Sequence, residues 1–233
     1  MLATLRGDLQ AARDRDPAAR SLIEIAICYP GVHALWGHRI SHWLWQQDYR
    51  FLARACSALT RTLTGVDIHP AAVLGSGLFI DHATGVVIGE TAEVGTDVTL
   101  YQGVTLGGTN LDRGKRHPTV GNRVTIGAGA KILGAITIGD DSRIGANAVV
   151  VQPVPPNSVV VGVPGQVIAR SRPRPITAPP DLDEGLMPDL VGTSLQSLRR
   201  RVDELETAVT GHTNHRDAHP SEAGVWSGED FSI

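Results

Sequence analysis

From residue 68 to residue 150 single aliphatic side chains return at a fixed interval of six: Ile68, Leu74 and Ile80, then Ile88, Val94, Leu100 and Leu106, then Val120, Ile126, Ile132, Ile138, Ile144 and Val150. The next residue is very often glycine, as at Gly75, Gly89, Gly95, Gly107, Gly121, Gly127, Gly139 and Gly145. A helix repeats near 3.6 residues and a simple strand near 2, so a sustained period of six fits neither. It fits a coil of three short flat faces, each sending one aliphatic inward, and predicts a β-solenoid over residues 65–170.

The period slips by two residues between Ile80 and Ile88, where the chain reads Asp81-His82-Ala83-Thr84-Gly85. It slips by two again between Leu106 and Val120, after a polar loop that runs through Lys115, Arg116, His117 and Pro118. Regular solenoid sequence is mostly scaffold, and insertions map to loops where function sits. His82 and His117 are therefore the first candidates for chemistry.

Outside the repeats the pattern changes. Residues 1–64 read as helices; Asp16-Pro17 looks like a helix start with proline in the first turn, and His33, Trp36, Gly37, Ile40, Trp43 and Leu44 form a stripe at helical spacing that should be buried. Pro155-Pro156 and the Gly162-Val163-Pro164-Gly165 segment mark the end of the solenoid by removing backbone donors. A proline-rich linker follows over 171–192, then a short heptad helix over 193–210 with Leu195, Leu198, Val202, Leu205 and Val209 in its seam and Thr193 and Ser194 as possible caps. Residues 211–233 are polar and read as a flexible C-terminal tail.

Composition narrows the class. Aromatics make up 4% of the chain beside 26 glycines, which suits a thinly filled solenoid better than a sandwich. A net charge of −3 leaves no electrostatic footprint for nucleic acid, and Arg199-Arg200-Arg201 reads as a solvated helix face. Two cysteines, Cys28 and Cys56, make no disulfide framework, and no apolar run reaches a membrane span or a signal peptide. A cytoplasmic protein with no membrane contact is expected.

Three segments together resemble the serine O-acetyltransferases of the hexapeptide-repeat acyltransferase superfamily: Asp67-Ile68-His69-Pro70; Asp81-His82-Ala83-Thr84-Gly85 continuing to Gly89-Glu90-Thr91; and Val104-Thr105-Leu106-Gly107-Gly108 with Arg116-His117-Pro118. The resemblance covers roughly residues 8–170 and implies a left-handed parallel β-helix, trimeric, with active sites in the clefts between neighbouring prisms. It also implies transfer of acetyl from acetyl-CoA to the hydroxyl of L-serine, without a metal. In that scheme His82 is the general base, and Asp67 fixes its tautomer. Asp16 and Asp81 hold the ammonium, Arg116 grips the carboxylate through a planar fork, and His117 lines the serine site with possible help to the oxyanion. Gly108, Ala128, Arg143 and Ala146 match positions along the coenzyme A groove. The chain ends in Ile233, and members of the family commonly insert such a tail into O-acetylserine sulfhydrylase. The helical region is shorter than in relatives that pair trimers into hexamers, which favours a trimer.

Two other functions compete. A sugar or antibiotic O-acetyltransferase would share the chemistry but not the helical N-terminal region or the charge set suited to a zwitterion. A zinc carbonic anhydrase of the gamma type needs three histidines across an interface, and Asn122 stands where a second histidine should follow His117. His38 and His42, spaced four apart, lack a third ligand and read as structural, as does His69.

Overall fold

In a computed structural model of the chain, residues 2–170 and 190–210 are described. They belong to two compact units that divide after residue 187.

The first unit begins with α1 (Leu2–Arg15), α2 (Leu22–Cys28), α3 (Pro30–Gln46) and α4 (Arg50–Thr64). Asp16-Pro17 does not start a helix as expected. It ends one: the Asp16 amide still reaches the Ala12 carbonyl at 3.0 Å, but Pro17 has no N–H with which to continue. The next helix is started instead by Ser21, whose hydroxyl accepts from the Glu24 amide at 3.1 Å. The stripe expected to be buried on α3 is also displaced. Ile40 and Trp43 are exposed, and the buried face runs through Gly31, Ala34, Leu35, His38 and Ser41. At the start of the helix a glycine is required, because the helix lies against the first coil so closely that a Cβ at Gly31 would overlap the Ile80 carbonyl. Gly65 ends α4 in the left-handed conformation at φ 73°, which a glycine adopts without steric cost.

The chain then winds through five coils. They comprise β1 (Asp67–Ile68), β2 (Val73–Leu74) and β3 (Phe79–Ile80); β4 (Val87–Ile88), β5 (Glu93–Val94) and β6 (Thr99–Leu100); β7 (Thr105–Gly107), β8 (Thr119–Val120) and β9 (Thr125–Ile126); β10 (Lys131–Leu133), β11 (Thr137–Ile138) and β12 (Arg143–Ile144); and β13 (Val149–Val150) with β14 (Ser158–Val161). Equivalent strands stack in parallel into three faces, β1-β4-β7-β10-β13, β2-β5-β8-β11 and β3-β6-β9-β12-β14. This is a parallel β-helix. Every aliphatic of the six-residue repeat points inward and is buried, and a second set that includes Leu78, Val86, Val98, Val104 and Val124 fills the corners. Each such side chain contributes about 1.5–3 kcal/mol by leaving water.

Pro155-Pro156 does not stop the coil. Val154 still bridges to Ile138, and β14 still pairs with β12. The winding ends later, where the chain reverses after β14 and returns as β15 (Gln166–Arg170), antiparallel to it. The helices cover part of the third face: Phe79 points outward from β3 and is buried among Ala11, Ala12, Ile25 and Val32.

In the second unit, α5 (Leu190–Thr210) begins three residues earlier than the heptad suggested, so Thr193 and Ser194 lie inside it. Its seam residues Leu195, Leu198, Val202, Leu205 and Val209 are all exposed. Most of the linker and all of the tail, including Ile233, lie outside the described residues.

Candidate active site

The two slips in the repeat become two enlarged corners on different edges of the prism. At the first edge, where the third face turns into the first, six residues link β3 to β4, against four at the same corner between β6 and β7. The extra length is taken up by His82 and Ala83, both at φ 56°. Two consecutive non-glycine residues in this conformation are held only by their surroundings. Ala83 turns into the core, and His82 projects outward with 73% of its side chain exposed.

Asp81 supports this turn by accepting the His82 amide at 2.9 Å, and its other oxygen lies 3.9 Å from His82 Nε2. Burial raises the Asp81 pKa; the His82 charge opposes that, and Asp16 adds to it. Asp16 therefore lies near enough to feel Asp81. It is held in the α1–α2 turn, where Oδ1 accepts the Ala18 amide at 2.8 Å and Oδ2 accepts the Tyr29 hydroxyl. That hydrogen bond, with burial, pushes the Tyr29 phenol up to about 12. Two carboxylates and an exposed imidazole thus converge on one edge. Asp67 lies at the same corner, its amide donating to the Val86 carbonyl at 2.9 Å. Its carboxylate pairs with Arg61 at 3.3 Å, and it makes no hydrogen bond to His82 in the single chain.

Ala128 and Ala146 lie on this same edge, in a column built by backbone bonds from Gly103 to Thr84, Gly129 to Gln102 and Asn147 to Ala128, at 2.8–2.9 Å. Arg143 is set back from it, at the start of β12 on the third face.

At the second edge, where the first face turns into the second, eleven residues link β7 to β8. This loop folds back so that Arg116 and His117 lie over Glu90 and Thr91 of the coil below. Thr91 Oγ1 accepts the amides of Arg116 and His117, both at 3.0 Å. Its hydroxyl then donates to His117 Nδ1 at 2.9 Å, and its own amide donates to the same nitrogen at 3.2 Å. With donors ending on Nδ1, the neutral ring carries its proton on Nε2. Burial, followed by the Arg116 charge, lowers the His117 pKa and favours that neutral form. Gly89 makes room for the ring, since a Cβ there would overlap the imidazole.

The Arg116 guanidinium is ion-paired with Glu90, whose pKa falls for that reason. Beside the pair lies an open cleft of about 650 Å³, lined by Glu90, Thr91 and Arg116 and by loop residues 110–114. Gly108 sits at this edge too, close against the Arg116 backbone. His69, on the coil beneath, accepts the Ala71 amide and packs edge-on to Trp45, which agrees with a structural role. Among the described residues no group of three or more His, Cys, Asp or Glu is placed to hold a metal.

The sequence candidates therefore fall into two sets, Asp16, Asp67, Asp81 and His82 on one edge and Arg116 and His117 on another. A full face of the prism separates them. Sequence reasoning passed over the supports: Tyr29 and Arg61 carry no signal, whereas Thr91 and Glu90 stood inside a motif already quoted.

The parallel β-helix with its six-residue repeat is the hexapeptide-repeat architecture, and residues 117–152 match the family model described as bacterial transferase hexapeptide (six repeats). Over its whole length the chain is 65% identical to the serine acetyltransferase of Mycobacterium tuberculosis, also over the whole of that protein. It is 47% identical to that of Bacillus subtilis, across 88% of this chain and 93% of the relative. The chain belongs to the serine acetyltransferase family. Among solved structures, serine acetyltransferase from Brucella abortus in complex with coenzyme A superposes with a TM-score of 0.72 at 47% identity, over 73% of this chain and 68% of that one. Soybean serine acetyltransferase complexed with serine gives 0.70 at 47% identity, over 71% and 68%.

Proposed function

We propose that this chain transfers the acetyl group of acetyl-CoA to the hydroxyl of L-serine, giving O-acetyl-L-serine and CoA for cysteine synthesis. The observation that carries the assignment is the charge set. A carboxylate pair, Asp16 and Asp81, suits an ammonium group, and Arg116, oriented by Glu90, suits a carboxylate. A hexose offers neither charge, and an amino sugar offers only the ammonium.

The two sets lie on different edges, so one chain supplies two half-sites. A closed three-fold arrangement of left-handed prisms would place the His82 edge of one copy against the His117 edge of the next, completing three sites in a trimer. In each site His82 takes the serine hydroxyl proton as the oxygen attacks the thioester carbonyl carbon. Asp67 steadies the resulting imidazolium, which requires the His82 ring to turn from Asp81 toward Asp67 and the Arg61 contact to yield. His117 is a donor, not a second base, because its protonated Nε2 can only give a hydrogen bond to the tetrahedral oxyanion or the bound serine. The intermediate collapses by breaking the carbon–sulfur bond, and the departing thiolate takes the proton back from His82.

Acetyl-CoA would follow the column at Ala128 and Ala146, where small residues let the pantetheine arm approach the backbone, with Gly108 facing it from the neighbouring copy. Arg143, set back on the third face, would serve only a phosphate. Assignment to the cytoplasm and capture of the Ile233 end by O-acetylserine sulfhydrylase complete the reading. Removing Ile233 should abolish sulfhydrylase binding and spare acetyl transfer.

Steady-state thiol release with L-serine, set against hexose and amino-sugar acceptors, tests the assignment. Serine should be preferred by orders of magnitude, and no release with serine would overturn it.

A further inference from the structure

Asp16 is the one member of the proposed ammonium site that does not belong to the β-helix. It stands in the turn between α1 and α2, and its own hydrogen bonds, to the Ala18 amide and the Tyr29 hydroxyl, tie it only to the helical region. Asp81, in contrast, follows β3 directly. The spacing between the two carboxylates therefore depends on how the helical region is locked to the third face, through Tyr29 and Gly31 against Ile80 on one side and through the end of α1 on the other.

The preceding residue locks the end of α1. The Arg15 side chain, 7% exposed, enters the solenoid wall and makes four hydrogen bonds there. Its Nη1 donates to the Gly77 carbonyl at 3.0 Å, the Val98 carbonyl at 3.1 Å and Thr99 Oγ1 at 3.2 Å, and Nη2 donates to Asp97 Oδ1 at 3.2 Å. These acceptors span the first two coils. Thr99 is the register partner of Phe79, two residues before Asp81 on the same strand path. A guanidinium can hold several acceptors at fixed angles at once, whereas an ammonium on a flexible stem cannot hold them in the same geometry. Elsewhere α1 meets the first coil through Ala11 and Ala12 against Phe79, an apolar contact, and two turns earlier through Asp8, whose buried carboxylate lies against the Gly77 and Leu78 amides; at the end of α1 next to Asp16 the polar contact is Arg15.

We infer that Arg15 is a positioning residue for serine binding, which fixes Asp16 at the distance from Asp81 that a substrate ammonium requires. This rests on the ammonium assignment above, and the test separates the two. Displacing a binding group by about 1 Å can cost up to a hundred-fold, so Arg15→Met should raise the serine KM about ten-fold. The acetyl-CoA KM should stay within about two-fold, because the groove for that substrate lies on later coils. Arg15→Lys, keeping charge but not the fork, should recover about half of the loss on a logarithmic scale. Asp16→Asn should raise the serine KM by itself, and Arg15→Met added to Asp16→Asn should raise it no further, since residues acting through one contact are not additive. If Arg15→Met does not fold, Arg15→Lys and Asp97→Asn carry the same measurement, with about a three-fold rise in serine KM expected for each.

An unchanged serine KM in Asp16→Asn would overturn the ammonium assignment, and this inference with it. A raised KM in Asp16→Asn with an unchanged one in the Arg15 variants would overturn the positioning role alone. So would equal rises in both KM values, or full additivity in the double variant.

Discussion

The two enlarged corners of the β-helix solve opposite problems. At the His82 edge the insertion is short and strained, two consecutive residues at φ 56° holding the ring out into solvent with a single loose contact to Asp81. At the His117 edge the insertion is long, and the ring is buried, with both donors of Thr91 fixed on Nδ1. In the proposed mechanism the general base must take up and return a proton in every cycle, and the ring of His82, held by one loose contact, is free to reorient for it. A donor must hold one tautomer, and the Thr91 network enforces that. The proposed division of roles between the two histidines rests on this difference in corner length and burial, since the residue is the same.

The largest effect should come from removing the exposed member. His82→Ala should lower kcat by about 10²- to 10⁴-fold with little change in either KM, measured by thiol release. A parent-like rate would assign the base elsewhere. Less severe is loosening the rigid member: Thr91→Val keeps the amide donor to Nδ1 but loses the hydroxyl, and should cost roughly ten-fold in kcat/KM for serine. Nitrogen chemical shifts of the His117 ring would show the Nε2–H form in the parent and a mixture in the variant. A variant that keeps both its rate and its tautomer would show that the lock is redundant.

The smallest effect lies away from both edges, at the remaining corner of the first coil. Asp8 on α1 is fully buried beside Arg39, and burial raises its pKa to about 6. Because the folded value lies above the unfolded one, the folded state binds the extra proton. Asp8 thus favours folding below about pH 4 and loses that contribution as pH rises through 4 to 6. Asp8→Asn does not titrate, so its Tm relative to the parent should climb over that interval and level off above it. A difference independent of pH would show that Asp8 has the same pKa in the folded and unfolded chain, and a climb that never levels off would show that it does not ionise in the folded one.

Much of this was legible in the residues. The six-residue period fixed which aliphatics face inward, because a short strand between corners admits one phase only. The slips located both histidines, since an insertion in a repeat must leave the wall. The helical region was harder. Asp16-Pro17 has the composition of a helix start, but hydrogen bonding from α1 arrives first and proline then ends it. On α3 the tryptophan and isoleucine stripe suggested the buried face, whereas close packing of Gly31 against Ile80 turns the face through Ala34, Leu35 and His38 inward. Nor could spacing show that the candidates divide between two edges, because that depends on which corner of the triangle each insertion occupies. Contacts such as Arg15 to the Val98 carbonyl, 83 residues apart, have no local pattern at all.

The division between edges is the central claim, and complementation tests it most directly. His82→Ala and Arg116→Ala should each be nearly inactive alone. Co-expressed in equal amounts and allowed to assemble at random, they should regain about a quarter of the parent activity per site, because a site needs an intact His82 edge from one copy and an intact Arg116 edge from its neighbour. Mixed assemblies no more active than either variant alone would contradict it and place the whole site within one chain.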